Sequence, residues 1–280
     1  MKKILITGAN SYIGQSFEEY MLQHKDAYQV ETLDVIGDGW RKAELSDYDV
    51  IFHVAGIVHQ KETDQNRDLY YKVNRDLVAE LAQKAKNAGV AQFVFVSTMS
   101  VYGMESGVIT PDTKTAPVTH YGRSKLEAEA ALTALQDENF TVSILRPPMV
   151  YGKGCPGNFQ ILLSLVRKSR VFPAVKNRRS MIFVDNLSAF VHLLIEKKCS
   201  GVFFPQNRES ANTTEIAKIM AKALQRRVFF SRLAGLGVRM LIPVFSKARK
   251  AFSTLIYQDC EQFDYCYCKE DLESSVRKSI

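Results

Sequence analysis

The sequence predicts an α/β protein with a doubly wound parallel sheet and a smaller α/β lobe on its C-terminal side. Short, nearly continuous apolar runs alternate with helical stretches over the first half of the chain, which is typical of a parallel sheet covered on both faces. After Pro147 and Pro148 this alternation loosens. We therefore expect a sheet domain over residues 1–150 and a smaller lobe over residues 151–280, with segments of the two interleaved.

The elements of the first half follow from residue type and spacing. Runs rich in β-branched and aromatic residues predict strands, at residues 2–7, 28–35, 49–56, 92–98 and 140–147. Stretches with helical spacing of apolar residues lie between them, at residues 12–24, 66–89 and 118–132. The second is closed by Gly89, a common helix terminator. Further helices are predicted at residues 158–170, 186–198 and 213–226.

Composition and charge narrow the range of functions. No apolar run reaches the ~20 residues of a membrane span, and the first residues lack the features of a signal peptide, so we expect a cytoplasmic protein without stable membrane insertion. Residues 1–150 carry 15 basic and 20 acidic side chains, whereas residues 151–280 carry 22 and 10. The second half is therefore where an anionic ligand is expected. The charges are scattered and match no nucleic-acid-binding motif, so no nucleic-acid partner is expected.

The five cysteines have no paired spacing and no nearby histidine. A zinc site is therefore not expected, and free thiols are the simplest interpretation.

A glycine turn joins the first strand to the first helix. In the segment TGANSYIG, Gly8 and Gly14 occupy the first and third positions of the dinucleotide-binding fingerprint of a Rossmann domain, with Ser11 at the middle position. Backbone N–H groups and the helix N-terminus at such a turn bind a pyrophosphate. The residues predicted to bind the cofactor here are Gly8, Asn10, Ser11, Tyr12, Ile13 and Gly14.

The end of the second strand indicates which dinucleotide is bound. Asp34 lies 20 residues after Gly14, where a carboxylate suits the ribose 2′-OH of NAD and repels the 2′-phosphate of NADP. Arg41 and Lys42 follow and could reverse that preference. NAD is the predicted cofactor, with NADP as the alternative.

Six motifs in chain order resemble the extended short-chain dehydrogenase/reductase (NAD-dependent epimerase/dehydratase) family, in its nucleotide-sugar epimerase or 4-ketoreductase branch. They cover about residues 1–227 and are TGANSYIG, DVIFHVAG, FVSTMSVYG, YGRSK, LRPPMVYGKG and RRSMIFVDNL. The resemblance implies that residues 1–150 form an NAD(P)-binding Rossmann domain and residues 151–280 a substrate-binding lobe.

The resemblance also implies the catalytic residues Thr98, Tyr121 and Lys125. In this family the tyrosine is the acid/base, the lysine lowers its pKa and holds the cofactor ribose, and the hydroxyl of Thr98 holds the reacting substrate oxygen. Lowering the pKa of tyrosine from about 10 to about 7 takes about 4 kcal/mol. One ammonium at ~4 Å in an effective dielectric of about 20 supplies that order of energy. Further cofactor contacts are implied for Ala55, Gly56, Tyr121, Lys125 and Pro147.

The resemblance places a nucleotide-sugar substrate beside Thr98, Asn158 and Arg179, because the family's arginine at this position contacts the diphosphate. Nucleotide-sugar 4,6-dehydratases carry an Asp–Glu pair directly after the threonine. This chain has Met99 and Ser100 there, which cannot act as the acid and base of that elimination, so dehydratase chemistry is disfavoured. The family often forms homodimers through its two long helices, here around residues 66–88 and 119–137.

The resemblance therefore predicts an epimerase acting at C4 of a UDP- or dTDP-sugar in the synthesis of surface polysaccharide precursors. A 4-keto-sugar reductase of the same family is the first alternative. A non-catalytic dinucleotide sensor or RNA-binding relative is the second, and retention of the three catalytic residues argues against it. The apolar and basic tail, residues 232–252, fits either a helix lying on a membrane surface or a helix packed on the substrate lobe.

Overall fold

A computed structural model describes residues 1–8, 10–58, 60, 62–242 and 244–280. Two residues of the predicted segments lie outside the described ones: Ala9 of the glycine turn and Pro243 of the basic tail. The chain divides into two compact units. The first comprises Met1–Gly103, Thr115–Pro147 and Ser188–Pro205. The second comprises Met104–Lys114, Pro148–Leu187 and Gln206–Ile280.

The strands and helices of the described residues are numbered in chain order. The strands are β1 (Lys2–Thr7), β2 (Tyr28–Leu33), β3 (Val50–His53), β4 (Gln92–Val96), β5 (Gly107–Ile109), β6 (Thr141–Leu145), β7 (Met149–Tyr151), β8 (Val171–Pro173), β9 (Met181–Phe183), β10 (Gly201–Phe203), β11 (Phe229–Ser231) and β12 (Leu255–Tyr257). The helices are α1 (Tyr12–Met21), α2 (Arg67–Tyr71), α3 (Leu77–Asn87), α4 (His120–Leu135), α5 (Asn158–Lys168), α6 (Val184–Lys197), α7 (Thr213–Ala223), α8 (Arg232–Leu241), α9 (Ser246–Phe252) and α10 (Leu272–Lys278).

The first unit is built on a parallel sheet whose described strands have the order β10-β6-β4-β3-β1-β2. Ile4 of β1 is in register with Val50 of β3 on one side and with Val30 of β2 on the other. The chain runs outward from β1 in both directions, so the strand order reverses between β1 and β3. This arrangement confirms the predicted doubly wound sheet, and it leaves a crevice at the carboxyl ends of β1 and β3.

Burial explains why the central strands are continuous apolar runs. Every residue of β3 and β4 is buried, as expected of inner strands covered on both faces. The core on one face of the sheet contains Trp40, Phe93 and residues of α3 and α4 such as Leu81 and Leu132. Edge strand β2 is partly exposed along its length, because helices cover it less completely.

The structure differs from the predicted elements at the ends of strands and within one helix. Strands β3 and β4 end at His53 and Val96, two to three residues before the predicted ends, because the following residues turn to form loops. The helix predicted at residues 66–89 is interrupted by a π-helical turn, Lys72–Asp76. The extra residue of this turn places the side chain of Asn74 in the interior.

The second unit contains small two-stranded parallel sheets packed among its helices. Strand β12 pairs with β5, β9 with β7, and β11 with β8. The Tyr151 hydroxyl joins this unit's core to α10 through a 2.7 Å hydrogen bond with the Ser275 Oγ. None of the described helices combines the length and apolarity that crossing a bilayer requires.

Candidate functional site

A cleft of about 1460 Å³ opens in the first unit at the crevice between β1 and β3. Six of the predicted cofactor residues line it, namely Gly8, Asn10, Ser11, Asp34, Ala55 and Gly56. Gly8 has a φ of +109°, and a Cβ at this position would lie 2.8 Å from the backbone N of Ala55. The turn after β1 therefore approaches the loop after β3 so closely that only glycine fits.

The turn ends in the capped N-terminus of α1. The Ser11 Oγ accepts a hydrogen bond of 3.1 Å from the Gly14 N–H, so the hydroxyl at the middle fingerprint position caps the helix. Tyr12, Ile13 and Gly14 form the first turn of α1. The cleft therefore meets a helix N-terminus, where backbone N–H groups and the helix dipole favour an anion.

Replacing Gly8 by alanine is expected to weaken NAD binding by about ten-fold or more, because the added methyl group fills the turn that faces the ligand. The free energy of unfolding is expected to fall by about 1–3 kcal/mol, because a residue with a Cβ is strained at this φ. Isothermal titration calorimetry and denaturant unfolding measure the two effects.

Gly89→Ala is the matched control, since Gly89 also has a positive φ, of +82°, but has open space around its would-be Cβ. We expect it to lower stability by about 1 kcal/mol and to leave NAD binding unchanged. Equal NAD affinity in Gly8→Ala and the wild type would contradict the assignment of this turn.

The far end of the cleft is acidic. Asp34 is exposed there, and its carboxylate accepts a 2.8 Å hydrogen bond from the Ile36 N–H. Arg41 also lines this end, but its guanidinium forms ion pairs with Asp38 and with both carboxylate oxygens of Glu80. Arg41, which the sequence suggested as a partner for the 2′-phosphate of NADP, is therefore already neutralised by two carboxylates.

Gly56, Asn74 and Lys125 meet beside the cleft. A Cβ on Gly56 would lie 3.0 Å from the Asn74 Oδ1 and 3.2 Å from the Lys125 Nζ. Asn74 is fully buried, and its amide accepts a hydrogen bond from the Ile57 N–H and donates one to the Ile57 carbonyl. It also donates to the Ser124 Oγ of α4 at 3.3 Å. Asn74 therefore ties the loop after β3 to the helix that carries Tyr121 and Lys125.

Thr98 and Tyr121 form a pair at the end of β4. The Thr98 hydroxyl accepts from the Ser100 N–H at 3.1 Å and lies close enough to the Tyr121 phenol to lower its pKa. Ser97 points elsewhere, because its hydroxyl donates to the buried carboxylate of Glu129. Pro147 lies next to this loop, and its carbonyl accepts from the Met99 N–H at 3.0 Å.

The charge state of the pair differs from the sequence expectation. Burial raises the pKa of Tyr121 to about 12, and the Thr98 hydroxyl lowers it only in part. Burial lowers the pKa of Lys125 to about 7, against the opposing effect of Glu129. The Lys125 ammonium donates to the Val96 carbonyl at 2.9 Å and lies 4.5 Å from the centre of the Phe95 ring. The expected lowering of the tyrosine pKa by this lysine is therefore not present in the protein without a ligand.

The N-terminus of α4 is fixed by two caps. The Thr119 Oγ1 accepts from the Gly122 N–H at 3.0 Å. The Glu62 carboxylate accepts from the N–H groups of His120 and Tyr121, each at 2.9 Å. Glu62 was missed in the sequence, because no local spacing links it to a helix that begins 58 residues later. The two caps hold the backbone of Tyr121 in place.

A buried ion pair lies beneath Lys125. The Arg146 guanidinium donates to both oxygens of the Glu129 carboxylate, with the shortest distance 2.6 Å, and to the Tyr102 hydroxyl at 2.8 Å. Glu129 is 4% exposed, so its charge acts on Lys125 with little screening. This pair was also missed in the sequence, because its two residues lie on different elements.

His53 is fully buried at the end of β3. Its Nδ1 lies 2.7 Å from the Thr7 hydroxyl. Burial and the charge of Lys125 lower its pKa to about 3. His53 is therefore neutral at physiological pH and joins the ends of β1 and β3.

The first unit fits a dinucleotide on three structural grounds. The Gly8 turn leaves a cradle that a Cβ would fill, the N-terminus of α1 can bind phosphate, and an exposed carboxylate stands at the end of β2. Lys125 also lies beside this cleft, because its Nζ approaches Gly56 in the loop after β3.

Of the three predicted substrate residues, Thr98 lies in the first unit and Asn158 and Arg179 lie in the second. Asn158 is exposed and begins α5. Arg179 forms a backbone bridge with Ala211, and its Nη1 donates to the Ser253 carbonyl at 3.2 Å. Burial lowers the pKa of this guanidinium. The neighbouring Arg178 is exposed and donates to the Ser210 Oγ at 3.0 Å.

Comparisons with known proteins agree with this picture. The model of the NAD dependent epimerase/dehydratase family matches residues 4–203. A UDP-glucose 4-epimerase of Vibrio cholerae is 29% identical over 251 residues, covering 80% of this chain and 76% of that protein.

Two crystal structures share the fold. A UDP-glucuronic acid 4-epimerase from Bacillus cereus in complex with NAD has a TM-score of 0.77 at 19% identity, covering 99% of this chain and 97% of that chain. A dTDP-4-dehydrorhamnose reductase from Bacillus anthracis in complex with NADP has a TM-score of 0.69 at 20% identity, covering 92% and 91%.

Proposed function

Because this chain belongs to the NAD dependent epimerase/dehydratase family, we propose that it is a nucleotide-sugar epimerase that inverts C4 of a UDP- or dTDP-sugar with NAD as bound cofactor. Such an activity serves the synthesis of surface polysaccharide precursors. The observation that carries the proposal is that Thr98, Tyr121 and buried Lys125 come together at the carboxyl end of β4, with Thr98 close enough to lower the pKa of the Tyr121 phenol. The V. cholerae relative and the B. cereus structure, both 4-epimerases by name, support the choice of reaction.

Tyr121 is the group that moves the proton. Oxidising the C4 hydroxyl to a ketone requires that the O–H proton leave to a base, and reduction on the opposite face requires that the same proton return. The Tyr121 phenol serves both steps if it is ionised in the loaded enzyme. The hydroxyl of Thr98, which already lies close to this phenol, orients the reacting oxygen.

The proton transfer needs positive charge near Tyr121, because burial opposes its ionisation. Protonated Lys125 supplies one such charge, and Glu129 keeps part of the Lys125 population protonated. When bound, NAD supplies the two-electron acceptor that oxidation of an alcohol needs, and its positively charged nicotinamide ring favours the phenolate. Gly8, Ser11 and the α1 N-terminus would hold its pyrophosphate, and Asp34 its adenosine ribose.

The acidic end of the cleft favours NAD over NADP. A 2′-phosphate placed near Asp34 would also meet Asp38 and Glu80, whose carboxylates hold Arg41. Neutralising both, as Asp38→Asn with Glu80→Gln, releases the guanidinium and removes two negative charges. We expect NADP to bind at least about ten-fold more tightly and NAD affinity to change less than three-fold.

Fluorescence titration with each dinucleotide measures the two affinities. Asp26→Asn with Glu138→Gln removes the same charge from exposed sites elsewhere in the first unit and serves as the control. An unchanged NADP affinity in the cleft variant, or an equal gain in the control, would contradict this account of the cofactor preference.

Arg179 and Asn158 are proposed to bind the nucleotide sugar. A half-buried guanidinium whose pKa burial lowers gains from an anionic partner, and its planar fork suits a diphosphate. The excess of basic residues in the second half of the chain agrees with this role.

A homodimer formed through α2–α3 and α4 stays a prediction.

The test of the reaction is an absorbance experiment on the purified protein. If it is an epimerase, NAD remains bound through purification, and adding a UDP-hexose raises the absorbance band of reduced nicotinamide before the 4-epimer accumulates. If it is a reductase, the protein exchanges its cofactor freely and oxidises added NAD(P)H only with a 4-keto sugar. No response in either assay would overturn the enzymatic assignment.

A further inference from the structure

Helix α8 of the second unit directs its apolar side chains outward. Leu233 is 81% exposed, Leu236 57% and Met240 79%, and Val244, just beyond the helix, is exposed as well. Spacings of three and four residues place Leu233, Leu236 and Met240 on one side of the helix, which we call the apolar face. The sequence left open whether this segment packs on its lobe or stays accessible, and the structure leaves the apolar face accessible.

The opposite side of α8 is held by backbone packing. Gly235 is buried, and a Cβ at this position would lie 2.1 Å from the Ala174 carbonyl oxygen. At 100° per residue, Gly235 points away from Leu233 and Met240. The Ser231 Oγ caps the helix by accepting from the Ala234 N–H at 3.2 Å. The outward direction of the apolar face is therefore fixed by this close contact, since rotating α8 inward would bring side chains against the Ala174 backbone.

The segment that carries the apolar face is rich in positive charge. Residues 216–258 contain nine lysine and arginine residues and no acidic residue. Four arginines of this stretch are exposed, and none of them forms an ion pair with the part of the chain that the structure describes: Arg226, Arg227, Arg232 and Arg239. Arg232 and Arg239 lie on α8 itself, next to each other along one edge of the apolar face.

We propose that the apolar face of α8 docks on the anionic surface of a phospholipid bilayer. A short helix with an exposed apolar side and flanking arginines lies in the plane of the interface, with its apolar side chains at the boundary of headgroups and acyl chains and its guanidiniums on lipid phosphates. A second copy of the chain fits less well, because pairing two such faces would bring two sets of unneutralised arginines together.

Vesicle co-sedimentation of the full-length protein tests the proposal. The wild type is expected to bind vesicles that contain phosphatidylglycerol and to bind pure phosphatidylcholine at least about ten-fold more weakly, with the difference reduced by salt. Leu236→Glu with Met240→Glu is expected to abolish binding to both. Arg232→Gln with Arg239→Gln is expected to weaken only the binding to anionic vesicles, by about ten-fold or more, since each arginine contributes about five-fold.

The controls separate this surface from general effects of charge and polarity. Ile161→Glu with Leu165→Glu makes the same change at two exposed apolar residues of α5, and Lys25→Gln with Lys198→Gln removes two exposed cations from the first unit. Both controls should bind vesicles like the wild type, and denaturant unfolding of each variant reports that it is folded. The proposal is overturned if the wild type binds neither vesicle or if the controls lose binding equally. It is also overturned if the α8 variants change a dimer to a monomer without changing vesicle binding.

Discussion

Tyr121→Phe is expected to lower turnover about 1000-fold, within the range that loss of a general acid/base costs, while NAD binding changes little. The hydroxyl is the only group removed, and the ring keeps its packing. The backbone at this position is held by Glu62 rather than by the hydroxyl, so the helix N-terminus should not move. Steady-state assay with the UDP-hexose that raises the absorbance band of reduced nicotinamide, together with NAD titration, measures both quantities.

Tyr48→Phe is the matched control, because the Tyr48 hydroxyl donates to Glu31 on the exposed edge of the sheet. It should retain full activity. A Tyr121→Phe variant with more than a tenth of the wild-type turnover would show that another group moves the proton.

The ionisation of Tyr121 provides an independent measurement. Burial holds its pKa near 12 in the free protein, so the ultraviolet difference spectrum between wild type and Tyr121→Phe should show no phenolate at pH 8. Loading with NAD adds positive charge and should bring the phenolate signal into this range. An unchanged titration on loading would mean that the cofactor does not activate this tyrosine.

Lys125→Met is expected to lower turnover about 100-fold or more, because it removes the ammonium group that lies beside Gly56, on the same helix as Tyr121.

The same substitution is expected to change how the free energy of unfolding depends on pH. The folded-state pKa of Lys125 is about 7, below its ordinary value, so between pH 7 and about 10 the unfolded chain binds more protons than the native protein. Native stability contributed by this site therefore rises with pH across that window.

The size of this effect follows from the pKa difference. Relative to Lys125→Met, the cofactor-free wild type should gain as much as about 3 kcal/mol between pH 7 and about 10. Urea unfolding at several pH values measures it. Lys86→Met serves as the control, since Lys86 pairs with Asp137 at the surface. A pH slope that is the same in wild type and Lys125→Met would show that the folded protein does not lower the pKa of Lys125.

The fold and the family were accessible from the sequence because their signals are local. Continuous apolar runs indicate inner strands, and the Gly8–Gly14 spacing indicates a phosphate-binding turn, since both depend on backbone geometry within a few residues. The order of the motifs predicted the family, and the family model that matches residues 4–203 confirms this prediction. The spacing of Tyr121 and Lys125 placed both on one helix.

Only the tertiary structure decided the electrostatics and the supports of the site. Burial, which no spacing reveals, sets the pKa of Tyr121 above its ordinary value and that of Lys125 below it. The Glu62 cap on α4 joins residues that are 58 positions apart, and the buried amide of Asn74 depends on a π-helical turn.

The same holds for the charges and surfaces that set specificity. The sequence suggested that Arg41 is available to bind a phosphate, but its guanidinium is paired with two carboxylates, one of them on α3. The sequence showed that residues 232–252 are apolar and basic. The close contact between Gly235 and Ala174 determines which side of α8 faces outward. Local spacing in the sequence determined the secondary structure and the candidate residues of the site. Long-range packing determined the charge state, partners and exposure of those residues, because these properties depend on neighbours distant in the chain.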